Sequence, residues 1–383
     1  MVATARAREL GPLHLWQTSG MPDARTRLLT AGGLAAGMAA VGLAWMLWGS
    51  RDLDPESWTA PVPEPQRWSP TGNLADLVRT ELPSGHGPED LHVDLKDRVV
   101  AGLQDGRILR WPAGGGEAEV WLDTGGRPLG LHMDEQGRIL VADAWKGLLR
   151  VTDRSNGPPE VDVLATECGG RPLVFTDDLE TGPDGRIWFS DASVKFGQPD
   201  WKRDILENRP NGRLCVFDPS TGQTTEVVRD LYFANGVAVD PEGRFVLVNE
   251  TSRYRVQKLW LTGPKSGQTE VVIDNLPGFP DGISTGSGGV FWIAIAGPRN
   301  GLVDALAGSP WLRRLVAGLP KAIQPKPKRS ARTIGIDASG HVVHDLFDPA
   351  GAQFTVVTSV QEHRGHLYLG SLADTAWARV ARP

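Results

Sequence analysis

The segment RILVADAWKGLLRVT, residues 138–152, decides the fold. Ile139 to Ala142 form a continuous apolar run, Asp143 to Gly147 a polar corner, and Leu148 onward a returning apolar run. Two short apolar runs joined by a polar corner read as an antiparallel strand pair. A polar tight turn closes just before the first run, and this unit recurs six times. Its turn-closing positions are Asp97 (KDRVVAG), Gly137 (QGRILVAD), Gly185 (DGRIWFSD), Gly243 (EGRFVLVN), Gly289 (GGVFWIAI) and Gly365 (RGHLYLGS). Successive turns lie 40, 48, 58, 46 and 76 residues apart. Repeats of that length, each with several short strands, are the blades of a propeller. The segment GRLCVFDPSTGQTTEVV, residues 212–228, adds an outer hairpin turning at DPSTG. The expected fold is all-β: a six-bladed β-propeller over residues 71–383, whose closed ring leaves no open sheet edge.

The composition agrees. Gly (46) and Pro (29) punctuate short strands, and Trp is abundant (14). A net charge of −6 with no basic cluster argues against nucleic acid as a partner. The two cysteines, Cys168 and Cys215, form no CxxC or Cys/His pattern, which argues against zinc. They pair as one disulfide or stay as buried thiols, Cys215 lying in the apolar run RLCVFD.

The N-terminal region divides into a cytoplasmic segment (1–27), an uncharged run (28–48) and a Pro-rich stretch (49–70). Leu28–Trp48 is long enough to span a bilayer. Arg25 and Arg27 precede it and Asp52, Asp54 and Glu56 follow, which places the propeller outside the cytoplasm. A cleaved signal peptide is the alternative, but WMLW at 45–48 stands where small residues should prepare cleavage. The expected element is a transmembrane signal anchor with residues 49–70 as a stiff, extended spacer. Late in the chain, residues 297–332 interrupt the repeats. Leu302, Leu306, Trp311, Leu312, Leu315 and Val316 recur there at helical spacing until Pro320 ends the pattern. This helical insertion reads as a helix packed on the propeller face, a lid, or a second membrane contact.

Eight residues before each turn-closing position stand Glu89, Leu129, Asp177, Asn235, Asp281 and Val357. Equivalent positions of a radial repeat point at one place, so four oxygen-bearing side chains converge on the axis. Three carboxylates and an amide oxygen form a hard-donor set suited to Ca2+ or another hard divalent cation. Without a cation the acids repel, and at least one stays protonated. Singly, each is an ordinary polar residue at the start of a strand; four in one register point to a shared metal site. The neighbouring acids Asp90 and Asp178 face the other way along the strand and hold backbone groups or the groups that support the ligands.

Several segments resemble the strictosidine synthase-like propeller family, which includes the adipocyte plasma membrane-associated proteins, and more distantly gluconolactonase/regucalcin and paraoxonase. They are GPEDL at Gly87, RPLGL at Arg127, DGRIWFSDAS at Asp184, YFANGVAVDPEG at Tyr232, ETSRYRVQKLWLTGPKSG at Glu250, DNLPGFPDGI at Asp274 and QEHRGHLYLGSL at Gln361. The resemblance implies a calcium-centred hydrolase site. Ligands of the lactonase and paraoxonase relatives map onto Glu89, Asp177, Asn235 and Asp281, with Asp177 standing where those relatives carry Asn. The aspartate of the PD pair is implicated in attack or general-base action in some relatives, so Asp281 is the catalytic candidate. Two departures are visible. The paraoxonase-type histidine corresponds to Leu129, with His132 three residues on, and the glutamate of strictosidine synthase corresponds to Thr358. The leading expectation is a membrane-anchored, calcium-dependent hydrolase of small-molecule lactones or aryl esters. Its competitors are a non-catalytic scaffold with structural calcium and a strictosidine synthase-like enzyme forming C–N bonds.

Overall fold

The computed structural model describes residues 40–74, 76–320, 324 and 328–383. Six four-stranded antiparallel sheets form the ring, each ordered from an inner strand outward. The inner strands are Leu91–Val93, Pro128–Met133, Thr176–Thr181, Ala234–Val239, Gly278–Thr285 and Val357–His363, in blades one to six. Blade six is closed by the first strand of the propeller: Val78–Glu81 pairs with Ala376–Ala381, so chain start and chain end share one sheet.

The repeated turn has a conformational cause. All six turn-closing residues have positive φ: Asp97 at 60° and the five glycines between 67° and 77°. Glycine adopts that left-handed backbone without the Cβ clash, so it recurs at five of the six turns.

The second strand of each blade packs on both faces, and the core is divided accordingly. Ile139 and Val141 lie in a cluster with Val100 and Ile108 of blade one. Their chain neighbours Leu140 and Ala142 lie in a cluster with Leu179 and Phe189 of blade three. Alternate side chains thus serve opposite neighbours, so the strand is apolar at every position. The remaining interfaces are built alike, the ring closing where Leu91 and Trp111 meet Tyr368 and Trp377.

The cysteines are joined: Cys168 and Cys215 form a disulfide with Cα atoms 6.4 Å apart. It ties the separate hairpin of Glu167–Cys168 and Arg171–Pro172 to Gly212–Asp218, the third strand of blade three.

One face of the ring carries additional chain. The insertion contains helices Gly301–Ala305 and Pro310–Ala317; residues 321–323 and 325–327 of it lie outside the described residues. Asn300 Oδ1 accepts from Leu302 N at 3.0 Å and caps the first helix, and proline opens the second. A further helix, Trp201–Glu207, was not anticipated; it ends at Asn208 in left-handed backbone and packs on Pro310–Ala317.

Of the expected anchor Leu28–Trp48, residues 28–39, like the segment 1–27, lie outside the described residues; residues 40–49 are helical. Among the described residues no helix is long and apolar enough to cross a membrane. The Pro-rich stretch after it lies on the helical face of the propeller rather than standing off it. Glu56 N donates to Glu207 O (3.0 Å), Asn275 Nδ2 to Val62 O (2.8 Å) and Arg299 Nη2 to Pro61 O (2.6 Å). Leu53, 2% exposed, packs with Phe196 and Ala317. The segment forms no ladder of its own and offers its carbonyls to side chains below.

Candidate functional site

The position eight residues before each turn falls at the axis-facing start of the inner strands, and in blades two to six a bulge marks it. Register breaks lie between Pro128 and Gly130, Thr176 and Leu179, Ala234 and Val237, Pro280 and Ile283, and Val357 and Ser359. A bulge re-aims side chains and bends the strand. The next position follows a packing rule. A Cβ on Gly130 would lie 2.8 Å from Asp178 Cα, and one on Gly236 would lie 2.3 Å from Ile283 N. Glycine is required there because neighbouring inner strands nearly touch. Where the position holds an acid, it bridges blades: Asp90 Oδ2 accepts from Leu131 N (2.7 Å) and Asp178 Oδ2 from Val237 N (2.8 Å). Both acids therefore hold backbone groups, as expected.

The structure brings Glu89, Asp177, Asn235 and Asp281 to the junction of two cavities, and all four line both. On one side runs a polar channel past Asp90, His92, His132, Asp178, Glu180 and Gln361. On the other, an apolar cavity opens beneath the helices and the insertion. Asp177 (5% exposed) and Asn235 (6%) are buried; Glu89 and Asp281 keep a little more surface, toward the cavities.

Electrostatics bind the four together. Burial pushes the Asp177 carboxyl well above its usual range, and the charges of Glu89 and Asp281 push it further. Burial and Glu89 do the same to Asp281, against a hydrogen bond from the Asn235 amide. Burial also raises Glu89, although the Arg127 guanidinium opposes it. Arg127, 1% exposed, pairs with Glu89 through Nη2, and its Nε has no partner. It was not among the expected site residues. Among the described residues no group of three or more His, Cys, Asp or Glu is arranged to hold an ion. The donor chemistry nevertheless fits a hard divalent ion. Three ionised carboxylates and one guanidinium leave two negative charges out of reach of bulk water, and a divalent cation offsets both.

The other positions in register do not contribute donors. Leu129 is apolar and packs with Phe175 and Phe233. Val357 is apolar and packs with Phe354 and Leu369. Next to it, Thr358 Oγ1 donates to Glu89 O (2.6 Å) and ties blade six to blade one. His132 faces the polar channel, its Nε2 2.9 Å from Thr181 Oγ1, because the bulge before Gly130 shifts the alternation. Burial lowers His132 to about 4 and His92 well below its usual value, so both are neutral.

Two residues before the register position stand Arg127, Phe175, Phe233 and Phe279 in blades two to five. With the strand period of two they share the direction of the site residues, one level higher. The three phenylalanines form a collar over the oxygens, with Phe175 and Phe233 rings 5.5 Å apart, edge to face. The signal was present in the chain as Phe-x-Asp/Asn in three consecutive blades. Phe233 (φ 58°) and the nearby Val356 (φ 56°) hold cavity-wall positions in left-handed backbone, at roughly 1–2 kcal/mol each.

Comparison with known proteins bears on both fold and family. Residues 177–264 match the family model described as strictosidine synthase, and residues 67–111 the model of the strictosidine synthase-like N-terminal region. Over 370 residues the chain is 30% identical to the adipocyte plasma membrane-associated protein of Rattus norvegicus, covering 90% of this chain and 98% of that one. It is 34% identical over 331 residues to Protein STRICTOSIDINE SYNTHASE-LIKE 13 of Arabidopsis thaliana, covering 78% of each. Among solved structures, a gluconolactonase from Xanthomonas campestris matches with a TM-score of 0.58 at 15% identity, over 86% of this chain and 98% of that one. At that identity the likeness concerns the fold.

Proposed function

The chain belongs to the strictosidine synthase-like family of six-bladed propellers, and we propose that it is a calcium-dependent hydrolase of lactones or aryl esters, attached to a membrane through its N-terminal segment. The observation that carries this is the convergence of Glu89, Asp177, Asn235 and Asp281 at the junction of a polar channel and an apolar cavity. These four side chains would hold the ion. When bound, it polarises a substrate carbonyl and supplies the positive field for the developing oxyanion.

The chain's own residues do the rest. Asp281 faces both cavities and acts as the base. Its carboxyl is raised by burial and by Glu89, and a cation beside it would favour the ionised form. It takes a proton from the attacking water as the water oxygen bonds to the carbonyl carbon, and returns that proton to the alkoxide oxygen as the C–O bond to the leaving group breaks. Asn235 orients Asp281 through its amide. Arg127 holds Glu89 in place and limits the local negative charge. The phenylalanine collar keeps bulk water from the reacting carbonyl.

Membrane attachment is supported by the apolar run 28–48, by exposed Val41, Trp45 and Trp48 on the helix 40–49, and by the plasma-membrane association in the name of the relatives. The disulfide suits an oxidising compartment. A second reading, a scaffold with structural calcium, is favoured by Leu129, which leaves no histidine at the junction. Carbon–nitrogen condensation is disfavoured by Thr358, which is bonded to blade one.

Calcium titration by calorimetry on wild type and Asp281→Ala, followed by a panel of lactones and aryl esters, separates these. Calcium binding with metal-dependent turnover that Asp281→Ala abolishes, without loss of fold, supports the hydrolase. Binding with no turnover supports the scaffold, and no binding in wild type rejects the calcium site.

A further inference from the structure

Three helices roof the cavity above the oxygens, Trp201–Glu207, Gly301–Ala305 and Pro310–Ala317, and they are not held alike. The first is seated on the ring, where Ile205 packs with Phe175 and Phe233. The second is tied to blade four: Tyr254 Oη donates to Asp304 Oδ1 (2.9 Å). The third lines the cavity with Val316 and, among the described residues, joins an apolar cluster only through Ala317. The other members of that cluster are Leu53, Phe196 and Leu206, none of them in a blade strand. What fastens this helix is the segment 52–58, which crosses all three. Asp52 pairs with Arg203 and Glu56 N donates to Glu207 O (3.0 Å), both on the first helix; Trp58 N donates to Ala307 O (3.2 Å), just past the second. Arg313, 1% exposed, reaches over from the third: its Nη2 donates to Glu56 O and its Nη1 to Leu206 O (3.2 Å). A buried guanidinium is costly to leave without such partners, so losing the segment would strand its charge. The segment is itself pinned to the ring. Arg253 lies over Tyr232 (3.7 Å to the ring centroid) and Trp58 (4.5 Å), and Tyr232 Oη donates to Glu56 Oε2 (3.3 Å).

We propose that residues 52–58 are a latch and the helix Pro310–Ala317 is a gate, so that the N-terminal segment, acting through Arg313, controls access to the cavity. The proposal goes beyond the hydrolase reading and holds whatever the cavity binds. Arg313 does not line the cavity; it is a positioning residue that sets the gate. The gate is the part of the roof with the fewest ties to the ring, and such parts open locally while the rest stays folded. The helix that precedes the latch touches the gate as well: a Cβ on Gly318 would lie 2.1 Å from Met46 O. A displacement of residues 40–58 therefore reaches the gate without passing through the blades.

Two measurements on the full-length chain test this. Native-state hydrogen exchange of the wild type should show the amides of Glu56 and Trp58 opening together with those of the helix Pro310–Ala317, and sooner than the blade strands. Separate opening of latch and helix, or opening only with the blades, overturns the coupling. The second measurement places a thiol under the gate with Ile205→Cys and follows its modification by a bulky maleimide; the two native cysteines are joined and do not react. Arg313→Met and Leu53→Ser, one on each side of the contact, should each speed that modification by at least about 10-fold, the change in open population expected for losing one hydrogen bond to a charged group. Ala142→Cys, in the core between blades, should stay protected in both. Unchanged modification in both variants, or a rise matched at Ala142→Cys, overturns the gate. Should Arg313→Met fail to fold, Leu53→Ser and the exchange of the wild type decide.

Discussion

Replacing Arg127 by methionine tests how the buried charges of the axis are balanced. Arg127 is 1% exposed, and Glu89, to which it is paired, has only 14% of its side chain exposed. Breaking a buried pair by removing one partner costs about 3–5 kcal/mol, because the other charge stays buried and uncompensated. Glu89, already raised by burial, escapes part of that cost by binding a proton. The expected loss for calcium-free protein is therefore about 3 kcal/mol at neutral pH. It grows with pH, since the folded variant holds a proton that the unfolded chain releases. Calcium reverses it: an ion at about 100 times its Kd stabilises the folded state by about 2.7 kcal/mol, and the freed Glu89 is then available to it. The assay is denaturant unfolding of wild type, Arg127→Met, Glu89→Gln and the double variant, each with chelator and with calcium. The double variant should cost clearly less than the two single losses added, because it leaves no orphan charge. Additive losses, or an Arg127→Met protein that loses less than about 1 kcal/mol and gains nothing extra from calcium, would refute the charge-balance argument.

Other consequences can be checked separately. Burial raises Asp204, on the roof helix, from 3.8 to about 7, against hydrogen bonds from Ser193 and Asn211. Between those pH values the folded state binds a proton that the unfolded chain has lost, so stability falls as pH rises, by about 4 kcal/mol in total. Asp204→Asn should remove that slope; equal pH dependence of the unfolding midpoints in the two proteins would contradict it. Reduction, or Cys168→Ser with Cys215→Ser, opens a loop of 47 residues and should cost about 4 kcal/mol in the chain-entropy model. A thermal midpoint unmoved by reductant would count against it. Gly236→Ala forces a Cβ to within 2.3 Å of Ile283 N and should destabilise by about 1–3 kcal/mol or more; a neutral substitution would mean that the blades tolerate separation at the axis.

The ring was legible in the chain because a propeller repeats one local solution. Each turn needs left-handed backbone at its closing residue, so glycine recurs at a readable spacing, and the strand after each turn is buried on both faces, so apolar runs recur with it. That periodicity also aligned Glu89, Asp177, Asn235 and Asp281, since equivalent positions of a closed ring share one direction. The phenylalanine collar obeyed the same rule and was readable two residues upstream. Nothing in that periodicity says which cation answers the acids. Arg127 meets Glu89 across 38 residues and a blade boundary, and only packing decides that contact. The disulfide, the closing of blade six by Val78–Glu81, and the laying of residues 50–62 over the roof helices are likewise long-range pairings. Trp201–Glu207 is one short helix, too brief to carry a clear period, and is held by its contact with Pro310–Ala317. The sequence by itself determined the blades, the register and the four oxygens, because those follow from local backbone preference repeated around a ring. Only the tertiary structure decided how their charge is balanced and what roofs them, because both depend on side chains and segments that meet from distant parts of the chain.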